Sequence, residues 1–244
     1  MSEQRRTKGY FGAVEWSLWL GSMAAMIAAY CLFDRQNVLN LTASLTGVTS
    51  LIFAAKGNPI SQVLMIIFSI LYGVISYGFG YYGEMVTYLG MTLPMAVTAL
   101  VAWLRNPFEG KRSEVAVARI SGSELAVMAV LTAAVTAVFY FVLKRWGTVN
   151  LPMSTLSVAT SFAAVYLTYK RSPYYAVAYA ANDIVLIVLW TLAAVQSREY
   201  MSVVVCFAAF LANDIYGFIS WRAMERRQRM SKEHKAAQQT PDSE

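Results

Sequence analysis

The chain has 244 residues, 57% of them hydrophobic and only 14% charged, with a mean hydropathy of +0.47. A soluble globular domain carries about 25% charge, so the composition excludes that class. The charges collect between long apolar runs, and the formal charge of +6 reads as topology and contact with anionic lipid, not as nucleic-acid binding.

Eight segments approach the roughly 20 residues that cross a hydrocarbon core of about 30 Å: 13–33, 40–56, 60–79, 83–104, 122–143, 150–169, 174–194 and 201–221. The first holds Glu15 and lacks a small-residue cleavage site before Asp34 and Arg35. It is read as a helix of the mature protein, not a signal peptide. The second is short and is expected to be tilted or packed mostly against protein. On the third, Ser69 and Tyr72 share a face, with Gln62 about two turns from Ser69; the three make an acceptable, nonspecific lining. The fourth opens on Tyr81-Tyr82-Gly83-Glu84. Glu84 and Tyr82 are candidates for a gate, although an acid there also suits the positive end of a helix. Pro94 is expected to free a carbonyl and permit a bend.

A basic loop, 105–121, divides the chain. Organisation is expected as an N-terminus with one added helix (1–39), a three-helix bundle (40–104), the loop and a linker helix (105–149), a second bundle (150–221) and a basic, polar, exposed tail (222–244). Of the 20 Lys and Arg residues, 16 fall on the side holding both termini and four on the other. That asymmetry puts both termini in the cytoplasm of a multi-pass inner (plasma) membrane protein. Cys31 and Cys206 show no metal or redox spacing and are read as packing residues.

The two halves repeat weakly. Leu93 to Trp103 aligns without gaps on Leu211 to Trp221, and Lys56-Gly-Asn-Pro59 falls over Lys170-Arg-Ser-Pro173. The offsets are 118 and 114 residues. Two three-helix bundles joined by one linker helix form a parallel repeat, a plan that places a transporter's substrate site at the interface near the midplane. Chance recurrence of Leu, Ala and Trp is the competing account.

The tetrad Ala-Asn-Asp-Ile occurs twice, at 181–184 and 212–215, each time inside an apolar run. Amides and carboxylates at that depth face a bundle interior or a cavity and point to a solute pathway. Asn182, Asp183, Asn213 and Asp214 are therefore the leading site residues. Asn213 shares a face with Tyr216, and Tyr175, Tyr179 and Asp183 form a stripe at four-residue spacing. Aromatic faces stack on flat rings or attract cationic ones, and amides bind sugar hydroxyls. Trp190 is a stacking candidate, and Trp190, Trp103 and Trp221 also read as membrane-interface anchors. The bland account makes the Asn residues glue between helices and the Tyr residues core.

Catalysis finds no support. The single histidine, His234, lies in the tail, and no metalloprotease, phosphate-loop or nucleophile-elbow motif occurs. No catalytic residue, metal site or cofactor is expected. A helical facilitator or ion-coupled carrier fits better.

Residues Gly57–Trp103, with Leu71-Tyr-Gly-Val-Ile-Ser-Tyr77, Tyr82-Gly-Glu84 and Leu93-Pro-Met95, and then Asn213-Asp-Ile-Tyr-Gly217, resemble the nicotinamide riboside transporter family, PnuC. The resemblance covers about residues 40–222. It implies an all-α 3+1+3 fold related to the SWEET sugar transporters, often assembled as a homo-oligomeric trimer. It also implies facilitated diffusion of nicotinamide riboside, trapped by a cytoplasmic kinase for NAD synthesis. The site residues it carries over are Asn182 and Asn213, with Tyr216 near them. Relatives have tryptophans where this chain reads Tyr174 to Asn182, and often a glutamine where it has Phe68. Those departures leave thiamine or a (deoxy)nucleoside open as cargo, and a non-transporting membrane scaffold as a different class.

Overall fold

The structure, a computed structural model, describes residues 10–78 and 80–239. Arg5, Arg6 and Lys8, counted above toward the cytoplasmic side, lie outside the described residues, as do 240–244. Eight helices are long and apolar enough to cross a membrane. They are α1 (Ala13–Phe33), α2 (Val38–Ala55), α3 (Ile60–Gly78), a composite fourth span, α6 (Gly122–Arg145), α7 (Leu151–Tyr169), α8 (Tyr175–Ala194) and α9 (Met201–Gln239). The fourth span comprises α4 (Tyr82–Val86), a π-helical turn (Thr87–Thr92) and α5 (Leu93–Arg105).

Local chemistry sets several boundaries. Ser121 and Glu124 form a reciprocal capping box at the start of α6, with Lys144 and Arg145 in its last turn where cations suit the helix dipole. The Asn37 side chain caps α2 by accepting from the Asn40 amide at 3.0 Å. Pro94 does bear on the fourth span, but through a π turn just before it: the Leu93 amide reaches back five residues to the Tyr88 carbonyl. The wider turn accommodates a ring that would clash with a regular one.

α2 is short because protein, not lipid, surrounds much of it; ten of its 18 residues are buried. It packs on α3 and α9, while α7 packs on α8 and α5. α1 lies against α2 and α9, and α6 against α7. Only Leu143 of α6 is buried. The main core, including Phe68, Tyr72, Leu189, Trp190, Phe207 and Phe210, fills the space between the halves. A second cluster holds Trp103, Val115, Tyr175, Trp221 and Met224.

Two expectations need correction, on the basic loop and on the tryptophans. The described part of the tail is mostly exposed and helical, since α9 runs on to Gln239. The basic loop folds into a hairpin, β1 (Pro107–Phe108) and β2 (Lys111–Val115), turning through Glu109 and Gly110 at positive φ. The two pieces hold each other. Gln228 donates to Glu114 at 2.7 Å and to the Val115 carbonyl at 3.0 Å, and accepts from the Val117 amide at 2.8 Å. Ion pairs Arg227–Glu114, Arg119–Glu225 and Lys235–Glu109 flank it. Lys235 and Ser231 hold the Glu109 carboxyl below the usual carboxylate range.

The tryptophans are the other correction. Trp103, Trp190 and Trp221 are all fully buried, so none is an interface anchor. Trp103 donates its indole N–H to the Thr168 carbonyl at 2.9 Å, and Trp221 donates to the Ala54 carbonyl at 2.7 Å.

Candidate functional site

At mid-helix depth between the halves lies a small cavity walled by α2, α3, the π turn, α7, α8 and α9. Tyr179, Asn182 and Asp183 reach it from α8, Asp214 from α9 and Ser161 from α7. Tyr88 and Thr92 come from the π turn, and Phe68, Phe207 and Phe210 supply aromatic walls. At about 20 Å3 it has room for roughly one water.

Spacing explains the convergence on α8. Tyr179 and Asp183 are four apart and share a face, while Asn182 stands three from Tyr179. The Asn182 carbonyl oxygen accepts from Thr160 at 2.8 Å and Ser161 at 2.9 Å, which fixes the orientation of the amide. Asp183 and Asp214 both line the cavity, and both are buried. Among the described residues, no Lys, Arg or His lines the cavity.

The other sequence-predicted residues stand elsewhere. Asn213 turns to α1, donating to Ser22 at 2.9 Å and to the Ala209 carbonyl at 2.8 Å. Tyr216 also faces α1, where its hydroxyl donates to Glu15 at 2.8 Å. Glu15 accepts from Lys56 at 2.5 Å as well, so a buried acid on the added helix ties three elements together. Tyr175 packs on Trp221, centroids 4.9 Å apart, rather than on the cavity. Trp190 sits in an aromatic cluster with Tyr81 at 4.7 Å and Tyr200 at 5.7 Å. Tyr72 lies behind the wall, stacked on Phe68 at 5.5 Å and edge-on to Tyr88 at 4.5 Å.

Ser69 bonds within its own helix, to the Met65 carbonyl at 2.8 Å, and Gln62 donates to Ser61 at 3.3 Å. Neither lines the cavity. Glu84 is buried at the start of α4 and accepts from Ser157 at 2.8 Å, while its second oxygen has no partner among the described residues. Tyr82 is outside the cavity lining, beside Tyr77 and Trp146. Sequence reasoning missed Tyr88 and Thr92, Thr160 and Ser161, and Phe207 and Phe210. The hydroxyl stripe Ser154, Ser157 and Ser161 on α7, at helical spacing, was the legible signal for the wall that orients Asn182.

Residues 37–223 match the family model described as nicotinamide mononucleotide transporter. A curated relative, the nicotinamide riboside transporter PnuC of Neisseria mucosa, is 24% identical over 217 residues, covering 86% of this chain and 82% of its own. The Haemophilus influenzae protein of the same name is 23% identical over 212 residues, covering 86% and 90%. The crystal structure of the vitamin B3 transporter PnuC aligns with a TM-score of 0.79 at 21% identity, over 91% of this chain and 95% of that one. α1 precedes the matched residues, which take in every other membrane-crossing helix of the described residues and end within α9. The chain is a multi-pass membrane protein that belongs to the nicotinamide mononucleotide transporter family.

Proposed function

We propose that this protein is a carrier of nicotinamide riboside, letting the vitamin equilibrate across the membrane for NAD synthesis. One observation carries the riboside over the phosphorylated mononucleotide. The cavity presents two carboxyls and no basic side chain, so it has nothing to pair with a phosphate and much to repel it. Asn182, held by Thr160 and Ser161, supplies an amide for ribose hydroxyls, and Tyr179 and Tyr88 supply aromatic faces for the ring. The cavity opens when its aromatic walls move apart, giving the two access states a facilitator needs.

The reading places both termini in the cytoplasm, from the distribution of Lys and Arg. It includes a cytoplasmic kinase that traps the riboside by phosphorylation, and a homo-oligomer, a trimer, in the bilayer. The 3+1+3 SWEET-like arrangement belongs to the same reading.

The test is uptake of radiolabelled nicotinamide riboside into proteoliposomes of the purified protein without an ion gradient. Competition is run separately with nicotinamide mononucleotide, thiamine and unlabelled nucleosides. Riboside equilibration, indifferent to the mononucleotide and lost in a folded Asn182→Ala variant, is the expected result. Saturable flux of thiamine or a nucleoside alone would replace the cargo and keep the fold. Flux of none of them would favour a scaffold.

A further inference from the structure

A second hollow lies at the end of the bundle read above as cytoplasmic, and its chemistry is the reverse of the central cavity's. It is a groove of about 340 Å3, against about 20 Å3 at mid-depth. Lys56 at the end of α2, Ser113 and Glu114 of β2, Arg227 of α9 and Tyr10 all line it. Among the described residues the lining carries two cations and one carboxylate.

Lys56 pairs with Glu15 at 2.5 Å and Arg227 with Glu114 at 2.6 Å. An ammonium has three N–H donors and a guanidinium five, so each cation keeps donors beyond its own pair. Glu114 is already engaged, because the oxygen that takes Arg227 also accepts from Gln228 at 2.7 Å. The Tyr10 hydroxyl accepts from Asn58 at 2.7 Å, which leaves its proton to donate. Donors from three separate segments therefore meet in one groove, and its single acid is spoken for. Arginine forks and lysine point charges are the usual partners of phosphate oxygens. The volume falls in the range of small-molecule sites, about 300–1,000 Å3. Met224 adds an apolar part to the lining, and a thioether is an adaptable surface for a flat ring.

We propose that this groove is a binding site for a phosphomonoester, carried either by a soluble nucleotide or by an anionic lipid headgroup. The phosphate accepts from Lys56, Arg227 and Tyr10, and the ring of a nucleotide rests on Met224. Only the placement in the cytoplasm rests on the reading above, in which the trapping kinase leaves such an ester, the phosphorylated riboside, on that side of the membrane. The groove lies outside the transport path. Its occupant fastens the end of α2, the hairpin and α9 to one another, since each contributes a lining group.

The experiment measures binding of nicotinamide mononucleotide and adenosine monophosphate to the full chain in phosphatidylcholine nanodiscs, by calorimetry and by thermal midpoint, with adenosine as the control. Both nucleotides should bind and raise the midpoint, and adenosine should do neither. Arg227→Ala should weaken nucleotide binding by about ten- to hundredfold, while Gln228 still holds the hairpin on α9. Ser113→Asp adds a second carboxylate at an exposed position and should weaken binding as well. Asn182→Ala, at the central cavity, should bind the nucleotides like wild type. Loss of binding in that variant would put the nucleotide in the central cavity and overturn both the groove and the exclusion of the mononucleotide. A second set of nanodiscs contains phosphatidic acid. Retention of that lipid by wild type and by neither groove variant, without nucleotide binding, would uphold the site and assign its phosphate to a headgroup. Binding of neither probe, or binding that survives both substitutions, would overturn it. Riboside flux enters none of these readouts, so failed flux with nucleotide binding intact would remove the cargo and leave the groove.

Discussion

The indole rings of Trp103 and Trp221 lie against each other, centroids 5.4 Å apart, and each donates its N–H to the half of the protein it does not belong to. Their acceptors, Thr168 and Ala54, are separated by the 114 residues that separate Lys170 from Lys56. The helix ends beside them match too. Gly57 and Arg171 both take positive φ, 66° and 58°. The next amides, Asn58 and Ser172, reach back to Phe53 and Leu167 at 3.1 and 3.0 Å. These correspondences support two parallel bundles that interlock through exchanged bonds.

Trp103→Phe and Trp221→Phe should each lower the thermal midpoint in detergent, because each loses a buried hydrogen bond worth about 1 kcal/mol net along with ring contact. The rings touch, so the double variant should depart from the sum of the singles, by about 0.5–3 kcal/mol. Strict additivity would mean that the two indoles act independently.

Gly47 on α2 stands where a methyl group would run into Phe210 and Phe68, two walls of the cavity. Ala in place of Gly favours a helix by about 1 kcal/mol, but overpacking costs about 1–3 kcal/mol. Overpacking should win. Gly47→Ala is expected to slow riboside uptake several-fold and to lower the thermal midpoint; uptake at the wild-type rate would show that the walls yield freely.

Tyr216→Phe should separate a contact with α1 from a contact with substrate. Its hydroxyl bonds to Glu15, a hydrogen bond to a charged group worth about 1.5–3 kcal/mol. The expected result is a lower thermal midpoint with an unchanged saturation constant for the riboside. A saturation constant that rises as much as in Asn182→Ala would place Tyr216 in the binding site.

The hairpin latch should depend on Gln228 more than on its ion pairs. Gln228→Ala leaves the Val117 amide and the Val115 carbonyl without their side-chain partner, at about 1–3 kcal/mol. Surface ion pairs contribute little and are screened by salt. Spin-label distances between the hairpin and α9 should broaden in Gln228→Ala and hardly change in Arg227→Ala. Glu109 has a lowered carboxyl pKa, so its contribution is present above the ordinary value of about 4.3 and lost as pH falls through the lowered one. Acidification should therefore loosen the latch, and a distance distribution unmoved by acid would remove Glu109 from it.

The spans were legible because apolar length is a direct physical requirement of the bilayer. Which face of a helix meets what was less so. Asn213 and Asp214 are adjacent and point about 100° apart, and nothing local tells which one meets α1 and which the cavity. The three tryptophans sit at positions where ring chemistry suits either a lipid interface or a buried N–H bond, and only the fold decides. The hairpin escaped notice because Lys111 to Glu114 has no apolar alternation. Its partner stripe, Glu225, Gln228, Ser231 and Lys235, runs at helical spacing and was readable as a helix face.

The exchanged indole bonds also bear on how the protein is made. Trp103 leaves the ribosome 65 residues ahead of the carbonyl it will bond, so the helices made before the 105–121 loop carry a donor whose acceptor has not yet been made. Trp221 follows Ala54 by 167 residues, and the second bond closes only when the last membrane crossing arrives. A nascent chain stopped before Thr168 exposes that idle donor, and one stopped before Trp221 lacks the ring that covers it. Both indole bonds and the ring contact between them are therefore in place only once the chain through Trp221 has been made.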